Sequence, residues 1–319
     1  MATRYPPIEP HASGMLDVGD GNRVHWETCG NPDGKPAVVL HGGPGSGASP
    51  NWRRYFDPER YRIVVFDQRG CGRSTPDAGV ADLSANTTAH LIADIEALRH
   101  HLGVERWLVL GASWGATLGV AYTEAHPESV SEVVLFSVTT TTRREVDWIT
   151  GDMRRVFPAE WTRLRDGVPE SMRGMRIIDA YAELLDDPDP AVRDKAARDW
   201  CAWEDTHVAT VPGYEPDPRY ADPVFRLRFA RLVTHYWRHS AWYADGELLA
   251  GAAKLGGIPA VLIHGRLDFS SPLDIAHDLA EAWPGAELVV VDDAGHGAYP
   301  GTIDSVVRAT DGFAAAGEA

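Results

Sequence analysis

Ser113 lies in Gly111-Ala112-Ser113-Trp114-Gly115, a G-x-S-x-G motif. The apolar run ahead of it, Trp107 to Leu110, reads as a buried strand, and the small residues and leucine behind it read as a helix. Strand, sharp turn and helix form the context in which this motif holds a serine at strained backbone angles with its hydroxyl exposed. The two glycines remove side chains that would collide across so tight a turn. A serine hydroxyl is a poor nucleophile until a base takes its proton, so a histidine and an orienting carboxylate are expected elsewhere.

In open parallel sheets reactive groups gather at the carboxyl ends of strands, which limits the search to loops that follow strands. After the apolar run Pro259 to His264 comes Gly265-Arg266-Leu267-Asp268, and after Ala286 to Val291 comes Asp292-Asp293-Ala294-Gly295-His296-Gly297. Serine, acid, histidine is the chain order expected of α/β-hydrolases. Ser113, Asp268 and His296 are therefore the candidate triad. Asp268 alone would pass for a turn or cap residue ahead of Pro272. Asp292 and Asp293 are the competing acids, but at the end of the histidine's own strand they read as turn residues. The oxyanion formed in acyl transfer needs two backbone N–H groups. One is expected from Trp114. The other is expected from the glycine-rich His41-Gly42-Gly43-Pro44-Gly45 after the strand Pro36 to Leu40, with Gly43 as first choice and Gly42 as second.

The rest of the chain must position these groups. Met15 to Val18 and Arg23 to Thr28 read as a hairpin around Asp20-Gly21-Asn22, behind an arm of residues 1–14. Tyr61 to Phe66 and Val130 to Ser137 are further buried strands. Asn86 to Leu102 has helical period, and helices are expected over Pro272 to Trp283 and Ile303 to Ala314. Continuous apolar strands alternating with helices call for a mostly parallel sheet covered on both faces, with the hairpin as an antiparallel edge. Residues 140–250 hold no β-rich run and carry helical patterning broken by prolines. The expected organisation is an α/β-hydrolase core, 1–138 and 251–319, interrupted by a helical cap, 139–250.

Bulk properties narrow the function. A formal charge of −16 over 319 residues argues against nucleic acid and against an anionic membrane surface. The three cysteines fit no zinc spacing and no disulfide framework. There is no leader-like or bilayer-length apolar stretch, so a cytoplasmic protein without membrane attachment is expected, with a monomer the simplest assembly. Neither a metal nor any other cofactor is implied.

Five segments together resemble the prolyl aminopeptidases, or proline iminopeptidases, serine peptidases of the α/β-hydrolase fold. They are the His41 to Gly45 loop, Asp67-Gln68-Arg69-Gly70-Cys71-Gly72-Arg73-Ser74, the elbow with Trp114, Gly265-Arg266-Leu267-Asp268, and Gly295-His296. Pro6-Pro7-Ile8-Glu9-Pro10, Cys29 to Pro36 and Leu83 to Thr88 are similar too. The likeness covers 1–137 and 258–300. It implies removal of an N-terminal residue, preferably proline, from a short peptide or amide through an acyl-enzyme.

The resemblance further implies that acidic cap residues hold the substrate's free amine. Trp200-Cys201-Ala202-Trp203-Glu204 matches one family segment and makes Glu204 a substrate-binding candidate. A cationic amine in a partly dry pocket needs a carboxylate, and such charge-assisted bonds are strong. In the second segment, Ala230-Arg231-Leu232-Val233-Thr234-His235-Tyr236, Val233 stands where the family has glutamate, leaving the subsite more apolar; Asp205 is a candidate to compensate. Ala112 and Ala116 are small departures within the elbow. Trp148, Trp203, Tyr236 and Trp237 are aromatic candidates for the pocket wall, each of which could equally serve a core. Two other readings stay open: a relative that has moved to another small amide or ester, and a non-catalytic binding protein on a hydrolase fold.

Overall fold

The computed structural model describes residues 4–212 and 215–316, so the first three residues of the expected arm and the last three of the expected core lie outside the described residues. Among the described residues eight strands form one sheet: β1 (Ala12–Asp17), β2 (Arg23–Gly30), β3 (Lys35–Leu40), β4 (Tyr61–Phe66), β5 (Trp107–Ser113), β6 (Val130–Val138), β7 (Ala260–Gly265) and β8 (Glu287–Val291). Their spatial order is β1-β2-β4-β3-β5-β6-β7-β8. Neighbours from β4 to β8 run parallel, while β1 with β2 and β2 with β4 run antiparallel. The edge is therefore the hairpin expected from Asp20-Gly21-Asn22, where Gly19, Asp20 and Gly21 all have positive φ.

Period-two alternation sorts the strand residues onto two apolar faces. Val38, Leu40, Val64, Phe66 and Val109 face one way, against α1 (Thr88–His101), α2 (Trp114–Ala125) and α9 (Leu273–Ala282). Ala37, Val39, Ile63, Val65, Leu108 and Leu110 face the other, against α10 (Pro300–Ala316) and the 3-10 turn Pro50–Tyr55. With both faces covered, every strand from β3 to β7 is nearly free of charge along its length. β5 lies between β3 and β6, so its end opens at the centre of the sheet's carboxyl edge.

Between β6 and β7 the described residues form only helices, turns and loops. These include α3 (Arg143–Thr150), α4 (Pro158–Asp166), α5 (Ile177–Leu185), α6 (Pro190–Val208), α7 (Pro223–Arg238) and α8 (Glu247–Ala252). Prolines sit at the first turns of α4, α6 and α7, where a missing N–H costs no helical bond. α3 opens with a capping box between Thr142 and Glu145. The helices of this layer have their own core, in which Tyr181, Trp200, Trp203 and Phe229 are buried.

Candidate active site

The elbow is built by steric necessity. Ser113 has φ 55° and ψ −124°, a conformation that costs a non-glycine residue energy and is kept only where the surroundings enforce it. A β-carbon on Gly115 would lie 2.0 Å from Leu40 O, and one on Gly111 would lie 2.2 Å from Gly115 O. Only glycine lets β3, β5 and α2 approach so closely. Ala112 and Ala116, the small departures from the family pattern, are simply buried.

The structure brings the three candidate residues together in one hydrogen-bonded chain. His296 Nε2 is 3.0 Å from Ser113 Oγ, and His296 Nδ1 is 2.8 Å from Asp268 Oδ2. An acceptor-only carboxylate requires the proton on Nδ1, which leaves Nε2 with the lone pair facing the serine. Asp268 is 2% exposed, and its other oxygen accepts the Ser271 amide at 2.9 Å. Burial alone would raise this carboxyl, but the His296 ring and the Ser271 N–H outweigh it and hold Asp268 below its ordinary range. Burial likewise pushes the His296 ring down, yet the Asp268 charge and hydrogen bond, and then the Glu204 charge, carry it above the ordinary histidine value. The competing Asp292 points elsewhere, into an exposed pair with Arg266. A residue missed in the sequence steadies the histidine loop: Ser137 Oγ, on a backbone with φ 48°, accepts the Gly297 amide at 2.9 Å.

Gly42 lies against the elbow, since a β-carbon there would be 3.1 Å from Ala112 O and 3.3 Å from Ser113 Cβ. Gly43 has φ 114°, a region open chiefly to glycine, and it lines the same cavity as Ser113 and Trp114. Among the described residues the Gly43 amide makes no turn, loop or cap hydrogen bond. Two buried side chains brace this loop. His41 Nε2 accepts the Gln68 amide at 3.1 Å, which puts the ring proton on Nδ1, where it meets Gly42 O at 2.9 Å. Gln68 in turn donates to His41 O and accepts the Trp114 indole N–H, both at 2.9 Å. The Asp67-Gln68-Arg69 segment thereby ties the glycine loop to the elbow.

Ser113, Trp114, Gly42, Gly43 and His296 open into one cavity of about 590 Å³, within the size range of small-ligand sites. α6 and α7 roof it. Glu204 lines it, 8% exposed, with Oε1 accepting the Trp200 indole N–H at 2.9 Å. Oε2 lies 3.2 Å from His207 Nε2, without the angles of a hydrogen bond. His207 was not singled out in the sequence. Ser270 Oγ donates to His207 O at 2.8 Å and so receives the Nδ1 proton at 2.7 Å. With Thr210 Oγ1 bonded to Leu267 O at 2.7 Å, the end of α6 is clasped to the loop that carries Asp268.

Some of the expected pocket residues lie elsewhere. Val233 is 0% exposed and packs in the core of the helical layer, outside the cavity lining. Helical spacing puts it under Phe229 and Trp237, which do line the cavity. Asp205 does not line it either; its carboxylate accepts the Asp217 amide at 3.0 Å. Of the four aromatic candidates only Trp237 reaches the cavity. Trp203 is buried, Tyr236 packs on Trp114 with ring centroids 4.6 Å apart, and Trp148 donates to Phe269 O. Among the described residues no cluster of His, Cys, Asp or Glu has metal-holding geometry, and no helix is long and apolar enough to cross a membrane.

Comparison with known proteins adds an independent line. A family model described as alpha/beta hydrolase fold matches residues 35–300. The chain is 51% identical to a probable proline iminopeptidase of Streptomyces coelicolor, with 99% of each chain covered. It is 44% identical to a proline iminopeptidase of Arabidopsis thaliana, covering 97% of this chain and 81% of that one. Among solved structures it superposes on a proline iminopeptidase of Mycobacterium smegmatis with a TM-score of 0.62 and 20% identity, covering 95% of this chain and 97% of that chain. It superposes on VinJ with a TM-score of 0.65 and 17% identity, covering 97% and 99%. The two structural likenesses speak for the fold.

Proposed function

The chain belongs to the proline iminopeptidase family of the α/β-hydrolase fold, and from that premise we propose how its own residues carry a serine aminopeptidase reaction. The substrate is a short peptide or amide whose N-terminal residue, proline by preference, is released. What carries the reading is the unbroken chain from Asp268 through His296 to Ser113, on a strained elbow that opens into a cavity containing a carboxylate.

The substrate's cationic amine sits against Glu204, which the Trp200 indole orients. The helical layer over residues 139–250 is the cap that closes the cavity around that amine. Ser113 Oγ attacks the carbonyl carbon of the first residue while His296 Nε2 takes the hydroxyl proton. The oxyanion accepts hydrogen bonds from the Gly43 and Trp114 amides. As the intermediate collapses, the C–N bond breaks and His296 returns its proton to the leaving amine. Water then adds to the acyl-serine with His296 again as base, giving the free amino acid and restoring Ser113. Asp268 keeps the proton on Nδ1 and stabilises the imidazolium in both halves of the cycle.

The test is a panel of prolyl-, alanyl- and N-acetylprolyl-arylamides beside simple aryl esters. Efficient cleavage of the prolyl-arylamide with little of the acetylated form is expected. Equal cleavage of blocked and free amines would overturn the aminopeptidase reading and leave a general amidase or esterase.

A further inference from the structure

The cavity carries charge of both signs, and most of it is already spent within the protein. Of its acidic lining residues, Glu145 is enclosed by the Thr140 amide and hydroxyl and by the amides of Thr141 and Thr142. Asp217 is paired with Arg219 at 2.6 Å. Arg219 also donates to Ser46 O at 2.7 Å and lies 4.6 Å from the Phe225 ring centroid. Among the described residues two charged groups remain facing the cavity without an opposite strong charge beside them: Glu204, whose neighbours are an indole and an imidazole, and Arg4.

Arg4 belongs to the N-terminal arm, yet its position is fixed. The next residue is held by Tyr5 N donating to Arg54 O at 2.9 Å, Arg54 Nε donating to Tyr5 O at 2.7 Å, and Tyr5 OH donating to Asp311 at 2.9 Å. The Arg4 guanidinium lies 5.0 Å from the Tyr55 ring centroid and donates Nη2–H to the Tyr55 hydroxyl at 2.9 Å. Tyr55 is itself buried in an aromatic wall with Trp52 and Phe136. Among the described residues no carboxylate lies within ion-pair distance of Arg4, and its Nε–H is buried without a partner. A buried donor on a cation is costly to leave unmade. A guanidinium stacked on an aromatic ring is also well presented to bind a carboxylate with two parallel bonds.

We propose that Arg4 is a carboxylate-binding subsite, and that the substrates are short zwitterionic peptides whose free C-terminal carboxylate it receives while Glu204 receives the ammonium. The inference rests on the aminopeptidase reading for the place of the scissile bond, at Ser113, which lines the same cavity as Glu204 and Arg4. It adds a length limit: each extra residue moves the carboxylate roughly 3.3–3.6 Å further from the amine. An acidic side chain on the leaving residue offers the same chemistry from another source, and the test separates the two.

The experiment compares kcat/KM for Pro-Ala, Pro-Ala-amide and Pro-Glu-amide, in the native chain and in Arg4→Gln and Arg4→Lys. Glutamine can still donate to the Tyr55 hydroxyl, and the Tyr5 anchors are untouched. The expected result is a preference of about tenfold or more for Pro-Ala over its amide, the size of a charge-assisted contact. That ratio falls to near one in Arg4→Gln and recovers in part in Arg4→Lys. A native ratio near one, or a ratio that Arg4→Gln leaves intact, would overturn the proposal. A high rate on Pro-Glu-amide that vanishes in Arg4→Gln would replace the C-terminal carboxylate by a side chain and overturn the length limit. Calorimetric binding of the same peptides to Ser113→Ala reads Arg4 without turnover. Tighter binding of the free acid with no prolyl-arylamide hydrolysis by the native chain would keep Arg4 and refute the aminopeptidase reading. Hydrolysis with equal binding would do the reverse.

Discussion

The two ends of the site are built on different physics. At the nucleophile end, position comes from the backbone: β5 must stop, turn and enter α2 through glycines that have no substitute, and Asp268 and His296 sit on loops leaving β7 and β8. At the proposed amine end, position comes from side-chain packing. Glu204 reaches the cavity because the Trp200 indole holds it there, and beside it stands His207, whose ring Ser270 fixes. On the proposed mechanism, chemistry at the first end is all-or-none, whereas the second end tunes which molecule arrives. Substitutions at the two ends should accordingly differ in which kinetic constant they move.

The sharpest separation is Ser113→Ala. It removes the attacking oxygen and leaves the amine end untouched, so kcat should fall by roughly 10⁴-fold or more while a prolyl peptide still binds. A steady-state assay with calorimetry on the same preparation reads both quantities. Near-normal turnover would remove Ser113 from its role, and loss of binding would mean that the two ends are not separable.

That division also explains what could be read without coordinates. Steric rules make the elbow, the alternating strands and the glycine loop legible, because each depends on residues adjacent in the chain. The meeting of Ser113, Asp268 and His296 followed too, because a parallel sheet collects its loops at one edge. The helical layer resisted. Val233 stands where the resembled family segment has glutamate, yet it lies in the layer's core with its neighbours one turn away facing the cavity. His207, Ser270 and Arg4 carry no local signal at all. His207 matters through a loop 63 residues away, and Arg4 through its place on Tyr55, 51 residues further on.

Glu204→Gln tests how far the ends are coupled. Removing the carboxylate should lower kcat/KM for free-amine substrates by about 10- to 100-fold, chiefly through KM, with much less effect on an aryl ester. It should also act on the base. The His296 pKa is raised partly by the Glu204 charge, and the ring must be neutral to accept the serine proton. In the native chain reactivity therefore falls as pH drops through a value above the ordinary histidine pKa of about 6.5. Without the Glu204 charge that acid limb moves to lower pH, while Asp268 keeps the ring's other nitrogen occupied. The rate at which a fluorophosphonate labels Ser113, followed against pH, isolates this effect from amine binding. An unmoved limb would show that the two ends are electrostatically independent.

The smallest effect is expected from Val233→Glu. Phe229, Val233 and Trp237 share one face of α7, and the outer two line the cavity. A glutamate at the middle position is longer than valine, and a carboxylate passing between them would be a second acid near the amine. Against that stands burial: Val233 is 0% exposed among aromatic rings, and an ionised group left there without a partner costs far more than an amine contact returns. If the new carboxylate reaches the cavity, KM for prolyl substrates should fall a few-fold and substrate should raise the melting temperature of the variant more than that of the native chain. If it stays in the core, the melting temperature should fall and KM should hold. The second outcome would make this helical face structural and leave Glu204 as the acid that binds the amine.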